Sequence, residues 1–262
     1  MTVVVATRDR PELLSGALAA LKAAVRPQDR VLVVDSASTN DGTQLVCRGV
    51  GVELLRLEQP GTSRARNAGV AASTTPLIAF TDDDCLAQSG WAAAIAAPFG
   101  DPAVGLVTGR VLPDREVPAP VSVETSTEAR VFTEPVGHGA SCCFRREALV
   151  AVGGFDEQLG PGAPGRAAED ADLMRRVLAA GWVGRYEPSA VVVHRQWRGR
   201  AGALRQSFAY GVGQVHAGAG FQEAVWRDAL QPALRDARAG YVSGIAAGLS
   251  RAAGALRGLA RR

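Results

Sequence analysis

The chain has 262 residues, 47% of them hydrophobic and 21% charged, which suits one large globular domain or two small ones and excludes collagen-like, disordered and coiled-coil chains. The net charge of +3 conceals an asymmetry: residues 1–194 hold 18 basic and 23 acidic groups, whereas residues 195–262 hold 11 Arg and three acids. A mildly acidic body with a basic tail points to a tail that meets something anionic.

Four cysteines, none in a Cys-x-x-Cys spacing, make neither a disulfide scaffold nor a zinc ribbon, and the expected setting is reducing and cytoplasmic. The short apolar run from Met1 to Thr7 stops at Arg8-Asp9-Arg10, so no signal peptide is expected. No window of about 18 uncharged apolar residues occurs, so no transmembrane helix is expected either.

The first hundred residues alternate strand and helix signals. Val3-Val4-Val5-Ala6 is a β-branched run that predicts a buried strand. Pro11 suits the first turn of a helix carrying Leu14, Leu18 and Leu21 at helical spacing. Val31–Val34 predicts a second strand ending at Asp35, followed by a loop of turn formers from Ser36 to Gly42. A short helix and a third strand, Val52–Leu55, come next, and Pro60-Gly61 opens another helix through Val70. The fourth strand, Leu77–Phe80, runs straight into Asp82-Asp83-Asp84. This alternation predicts a parallel α/β sheet, in which ligands bind at the carboxyl ends of the strands. Those ends carry Thr7-Arg8, Asp35 and the aspartate triplet.

The second half is less regular. Residues 104–112 and 140–144 read as strands, and residues 113–136 as a variable loop. Glu169 to Ala180 reads as a helix, Val191–His194 as a last strand, and the remainder from about 200 as helical.

Asp82-Asp83-Asp84 is the sharpest motif. Three adjacent acids repel one another unless a cation or strong donors compensate, and Mg or Mn favours carboxylates together with phosphate oxygens. A plain acidic turn is the other reading. Glu169-Asp170-Ala171-Asp172 opens a helix, where acids suit the helix dipole or supply a general base. His194, at a strand end, is either structural or a ligand. Gly160-Pro161-Gly162-Ala163-Pro164-Gly165 matches Gly-x-Gly-x-x-Gly. Its two prolines cannot donate N–H groups to a phosphate and no strand precedes it, so it reads as a loop. Neither Gly-Lys-Ser/Thr nor His-Glu-x-x-His occurs, which excludes Walker-type NTPases and disfavours zinc proteases. In the tail, Val242, Ile245, Leu249, Ala252, Leu256 and Leu259 project within about 100° of one another, with Arg251, Arg257, Arg261 and Arg262 on the other side. Such a basic amphipathic helix docks on its own domain or lies on an anionic membrane surface.

Several of these motifs, in order, resemble family 2 glycosyltransferases of the GT-A fold over about residues 2–197. Val3–Arg10 resembles their first strand and nucleotide-contacting loop. Val33–Ser38 with Asp41-Gly42-Thr43 resembles the second strand and its base-contacting Asp. Gly61–Gly69 resembles the Ala-Arg-Asn-x-Gly helix start, and Ala79–Asp84 the Asp-x-Asp metal motif. Phe144-Arg145-Arg146 with Gly153–Glu157 resembles the segment before the catalytic helix. Glu169-Asp170 resembles the Glu-Asp pair whose Asp acts as base, and His194 sits where such enzymes often place a His near the metal. The stretch His138–Cys143 departs from relatives, which often have Asn there. The Gln-x-x-Arg-Trp of processive synthases is absent, so single transfer is expected.

The resemblance implies a GT-A type, mainly parallel sheet flanked by helices, with a transferase domain at 1–197 and a helical C-terminal extension at 198–262. It implies metal-dependent, inverting transfer of one sugar from a nucleotide-diphosphate sugar to a hydroxyl acceptor. Thr7, Arg8, Asp35, Arg66, Asp82 and Asp83 would bind the donor. Asp84 and His194 would hold Mg or Mn, and Asp170, beside Glu169, would take the acceptor proton. The expected partners are the donor, a glycan, lipid-linked or small-molecule acceptor, and a membrane touched through residues 241–262 at its inner face, with no nucleic acid. Two alternatives remain at this point. An inactive scaffold of the same fold would carry a degraded acidic constellation, whereas both acidic motifs are intact here. A sugar nucleotidyltransferase would need a catalytic Lys, and the only lysine, Lys22, lies mid-helix.

Overall fold

The computed structural model describes residues 1–114, 126–195, 200–218, 229–230 and 242–260, without the side chains of residues 200 and 242–245. These residues fall into two compact units. The first takes in residues 1–114, 126–155 and 170–195; the second takes in 156–169 and the described part of 196–262.

In the first unit, β1 (Thr2–Thr7), β2 (Arg30–Asp35), β3 (Glu53–Arg56) and β4 (Leu77–Asp82) are the four expected strands. They alternate with α1 (Pro11–Ala24), α2 (Gly42–Val50) and α3 (Thr62–Ala71) and pair in parallel. The later elements are β5 (Cys85–Ala87), α4 (Trp91–Ala96), β6 (Val104–Pro113), β7 (Arg130–Phe132), β8 (Cys142–Arg145), α5 (Arg146–Ala151), α6 (Glu169–Ala179) and β9 (Val183–His194). The described strands form one sheet in the order β3-β2-β1-β4-β8-β6-β9-β5, with β7 on β9. The parallel half is as expected. Antiparallel pairs enter through β8, β5 and β7, while β6 and β9 run parallel.

Both faces of the sheet are covered, which is why its strands are near-continuous apolar runs. Alternate residues go to opposite sides. Val3, Val5 and Val33 join Leu14, Leu18, Leu21, Trp91 and Ile95 on one face. Val4, Leu32, Val34 and Phe80 join Ala65, Leu149, Phe155, Leu173 and Val177 on the other. Phe80 meets Phe144 and Phe155 edge-on, with centroids 6.1 and 5.2 Å apart.

Three features differ from the sequence reading. β9 begins at Val183, eight residues early, because Glu187-Pro188-Ser189 interrupts its apolar pattern; there the register with β6 slips, from Gly109–Glu187 to Arg110–Val191. β5 is three residues long, and β7 is a three-residue strand inside the stretch read as variable loop. Strands that short carry no periodicity to read.

The second unit contains α7 (Arg200–His216) and α8 (Val242–Leu259), which pack closely. The contact is made by small residues: a Cβ added at Gly211 would strike Arg251 O, and one at Gly254 would strike Phe208 O. Ala252 and Ala255 are buried there, whereas Leu249 and Leu256 stay about half exposed. The projected apolar face of the tail is thus only partly used within this unit. Arg261 and Arg262, and the side chains of Val242 and Ile245, lie outside the described residues.

Candidate functional site

Register brings the first residues together. Thr7 lies opposite Asp35 and Ala6 opposite Asp82, so the carboxyl ends of β1, β2 and β4 finish at one edge. Asp35 is fully buried. Its Oδ1 accepts from Ser38 N at 2.9 Å, and Arg56 Nε stands 3.7 Å from Oδ2, an oxygen without a hydrogen-bond donor among the described residues. A buried acceptor of this kind is ready for a ligand N–H. The loops above are tied together: Asp9, at φ 54°, accepts from Thr39 N and Oγ1 at 2.7 and 2.8 Å and donates its own N–H to Ser38 Oγ. The two bonds from Thr39 hold the Asp9 carboxyl below its ordinary value. Arg8 lies on the same loop, half exposed, 3.5 Å from Asp9.

The triplet divides into three environments. Asp82 accepts from Arg66 Nη2 at 3.0 Å, and Arg66 is itself buried with its guanidinium over the Phe155 ring, 5.4 Å from the centroid. Burial pushes the Asp82 carboxyl up, but Arg66, His138 and His194 outweigh it and hold the group below its ordinary value. Asp83 accepts from Thr7 Oγ1 at 2.6 Å and Arg10 Nη1 at 3.0 Å. Burial nonetheless pushes its carboxyl up to about 6, with Arg10 and Thr7 pulling the other way. Asp84 faces His194, whose Nε2 is 3.4 Å from Oδ1, and lies 3.9 Å from Arg10 Nη1.

His194 reaches Asp84 because β5 and β9 pair antiparallel with Cys85 opposite His194. Ligand atoms of Asp84, Cys85 and His194 lie within 4.8 Å of one another. Two donors at right angles around a small octahedral cation, each about 2.1 Å from it, stand about 3 Å apart, close to the Asp84–His194 separation. The carboxylate suits Mg or Mn, and the imidazole beside it favours the softer Mn. Cys85 does not: burial, then Asp82 and Asp84, push its thiol well above its ordinary value, so it stays neutral.

Asp170 arrives from another direction. It lies in the first turn of α6, next to buried Glu169. Its Oδ2 accepts from Gly139 N at 2.9 Å and its Oδ1 from Ala171 N at 2.8 Å. Gly139 opens a short 3₁₀ turn, Gly139–Ser141, capped by His138, whose Nδ1 accepts from Ala140 N at 3.1 Å. In its neutral form His138 therefore carries its proton on Nε2. The His138 ring stands edge-on to His194, centroids 6.3 Å apart. Buried Cys142, raised chiefly by burial, also feels Asp170 and Asp82 together. The two acidic motifs thus meet around one turn.

Sequence reasoning missed Arg10 and His138. Arg10 sits three residues beyond Thr7, a signal of the same strand-end kind. His138 had no signal beyond being one of three histidines. Asn67 also gains a structural role: its Nδ2 donates to Phe155 O at 2.9 Å and its Oδ1 accepts from Phe155 N at 2.8 Å, joining two of the sequence motifs.

The profile of glycosyl transferase family 2 matches residues 2–149. Among curated proteins, the pre-mycofactocin glycosyltransferase of Mycobacterium tuberculosis is 33% identical over 209 residues, 74% of this chain. The chain spans only 42% of that relative's length. An uncharacterized glycosyltransferase of Mycobacterium bovis is 31% identical over 189 residues, covering 70% of this chain and 80% of the relative. The mannosyltransferase of Pyrobaculum calidifontis, solved with GDP-Man and Mn2+, superimposes with a TM-score of 0.62 at 21% identity, over 100% of this chain and 75% of that one. That likeness places the chain in the GT-A fold.

Proposed function

Because this chain belongs to glycosyl transferase family 2, we propose that it moves a single sugar from a nucleotide-diphosphate sugar to a hydroxyl acceptor, with Mg or Mn bound and with inversion at the anomeric carbon. The observation that carries this reading is the meeting of Asp170 with the Asp82–Asp84 and His194 group around the His138–Gly139 turn. Residues 1–197 would form the transferase domain and 198–262 a helical extension.

Asp35, with Oδ2 open, receives an N–H of the nucleotide base. Thr7, Arg8 and Arg66 line the path of the nucleotide and its phosphates, and Asp82, steered by Arg66, faces the ribose. Asp83 fixes Thr7 and Arg10 in place, so it serves the donor from beneath. Asp84 and His194 would hold the cation, which supplies positive charge against the departing diphosphate. Asp170 Oδ2 keeps a lone pair beyond the one engaged by Gly139 N and takes the proton of the acceptor hydroxyl. The acceptor oxygen bonds to the anomeric carbon as that carbon's bond to the diphosphate oxygen breaks, and the electron pair leaves with the nucleotide. One displacement with one base inverts the centre; a hydrolase would place two carboxylates about the bond. Glu169 shapes the start of α6 beside the base.

Asp170→Asn tests the assignment. Transfer should fall to background while donor binding, read by calorimetry with Mn, stays within about twofold. Wild-type turnover in that variant removes Asp170 from the mechanism.

Peripheral membrane contact through residues 241–262, at the inner face of a cytoplasmic membrane, is supported by the exposed Leu249 and Leu256 on α8 and by the basic tail. Among the described residues no helix is long and apolar enough to cross a membrane. Deleting residues 241–262 should abolish co-sedimentation with anionic liposomes.

A further inference from the structure

We propose that the second unit carries an anion site of its own, in which the side chains of Arg166, His216 and Arg257 receive a phosphate-bearing group. The three surround a cavity of about 580 Å³ together with Val212, Gly258 and the loop Gly162–Pro164. That volume lies within the range of about 300–1,000 Å³ typical of small-ligand sites. Among the described residues no acidic side chain lines it. Among the described residues no carboxylate pairs with any of the three basic groups. Two guanidinium forks and an imidazole converging without a counter-charge match the oxygens of a phosphate or diphosphate.

The local backbone explains how Arg166 is delivered. The loop Gly160–Gly165 has the spacing of a dinucleotide-binding loop but few main-chain donors with which to cradle a phosphate. Pro161 and Pro164 have no N–H. The N–H groups of Ala163, Gly165, Arg166 and Ala167 are bonded within the loop, to Gly160 O, Gln158 O, Ala163 O and Gly165 O at 2.8–3.1 Å. Recognition therefore falls chiefly to side chains. The loop rests against α7, where a Cβ at Gly213 would strike Ala167 O. Arg166 itself sits at φ 65°, in the left-handed region where glycine is the comfortable residue. Ala168, two residues on, shares that region at φ 69°, and from this backbone Arg166 lines the cavity. His216 and Arg257 occupy the last turns of α7 and α8.

The site needs neither nucleotide nor divalent cation, so it stands or falls apart from the donor-site reading. The test uses the full chain in EDTA, titrated with inorganic pyrophosphate by calorimetry. Wild type should bind, Arg166→Ala and Arg257→Ala should each weaken binding about tenfold, and the double variant about a hundredfold, as loss of charge-assisted bonds implies. Arg166→Gly removes the guanidinium while relieving the φ strain. It should weaken binding about tenfold with an unchanged or higher Tm, which separates a lost ligand contact from a lost fold. A second arm measures co-sedimentation with phosphatidylcholine vesicles containing phosphatidic acid. Competition by pyrophosphate assigns the site to a lipid headgroup, and pyrophosphate binding without vesicle binding assigns it to a soluble phosphate. Absence of binding in both arms, or equal pyrophosphate affinity in the double variant, overturns the proposal.

Discussion

Asp170 Oδ2 accepts the Gly139 N–H at 2.9 Å, so the proposed base is aimed by a main-chain donor from the turn that also carries His138. A Cβ at Gly139 would lie 2.9 Å from that oxygen and 3.1 Å from Asp170 Cβ. Gly139→Ala should therefore swing the carboxylate away rather than remove it. We expect kcat to fall about 10–100-fold, as misplacement by about 1 Å does, with the donor KM nearly unchanged. Steady-state kinetics at saturating Mn check this, and a kcat within twofold of wild type would show that the turn does not aim Asp170.

The Asp84–His194 pair predicts a separable cation requirement. Asp84→Asn leaves a weaker, neutral ligand, and His194→Ala removes the imidazole 3.4 Å away. Each should raise the Mn concentration needed for half-maximal donor binding by at least about tenfold. Cys85→Ser should leave that concentration within about twofold, because the buried thiol is neutral and its replacement is nearly isosteric. Calorimetric donor titrations across a Mn series distinguish the three. An unchanged Mn requirement in both Asp84→Asn and His194→Ala would remove the pair as cation ligands.

Asn67 clamps both backbone groups of Phe155, and Phe155 in turn lies under Arg66 and against Phe80. Asn67→Ala strips a donor and an acceptor from a partly buried peptide group. It should cost about 1–3 kcal/mol of stability, read from urea unfolding, since unsatisfied groups lose that much. It should also weaken donor binding, because Arg66 loses the ring beneath it. Asn67→Asp, which keeps the acceptor for Phe155 N but loses the donor to Phe155 O, should fall between wild type and Asn67→Ala.

The fold's parallel half was legible because β1, β2 and β4 are apolar on both faces and end in Thr7, Asp35 and Asp82, whose polarity breaks the runs. Leu14, Leu18 and Leu21 marked α1 in the same way. What could not be read was pairing across distance. His194 meets Asp84 only through β5, three residues long, whose Cys85 registers opposite His194. Asp170 is brought toward the triplet by the His138–Gly139 turn, which lies in a stretch without period. Within the triplet, adjacency hid the division of labour: the end of β4 and the turn after it send neighbouring carboxylates to Arg66, to Thr7 with Arg10, and to His194. Such partners are set by tertiary packing, which no local pattern encodes.

Far from the site, Asp29 gives the chain a pH-dependent brace. Its carboxylate accepts from Arg26 Nε and Nη2 at 2.8 Å each and from Arg26 N at 3.1 Å, closing the turn between α1 and β2. Burial pushes the group up, but the Arg26 side-chain and main-chain bonds outweigh it and hold it below its ordinary value of 3.8. A carboxylate with a depressed folded pKa binds fewer protons in the native state than in the unfolded one. Its contribution is therefore complete above the ordinary value and is lost as pH falls through the folded one. Asp29→Asn should lower stability at pH 7 by about 1–3 kcal/mol through the lost charged fork. At pH 3 and below the difference from wild type should shrink, because the wild-type carboxyl is then protonating too. Chemical denaturation at pH 7, 5 and 3 measures this, and a deficit that stays constant across the series would show that the Asp29 charge does not brace the turn.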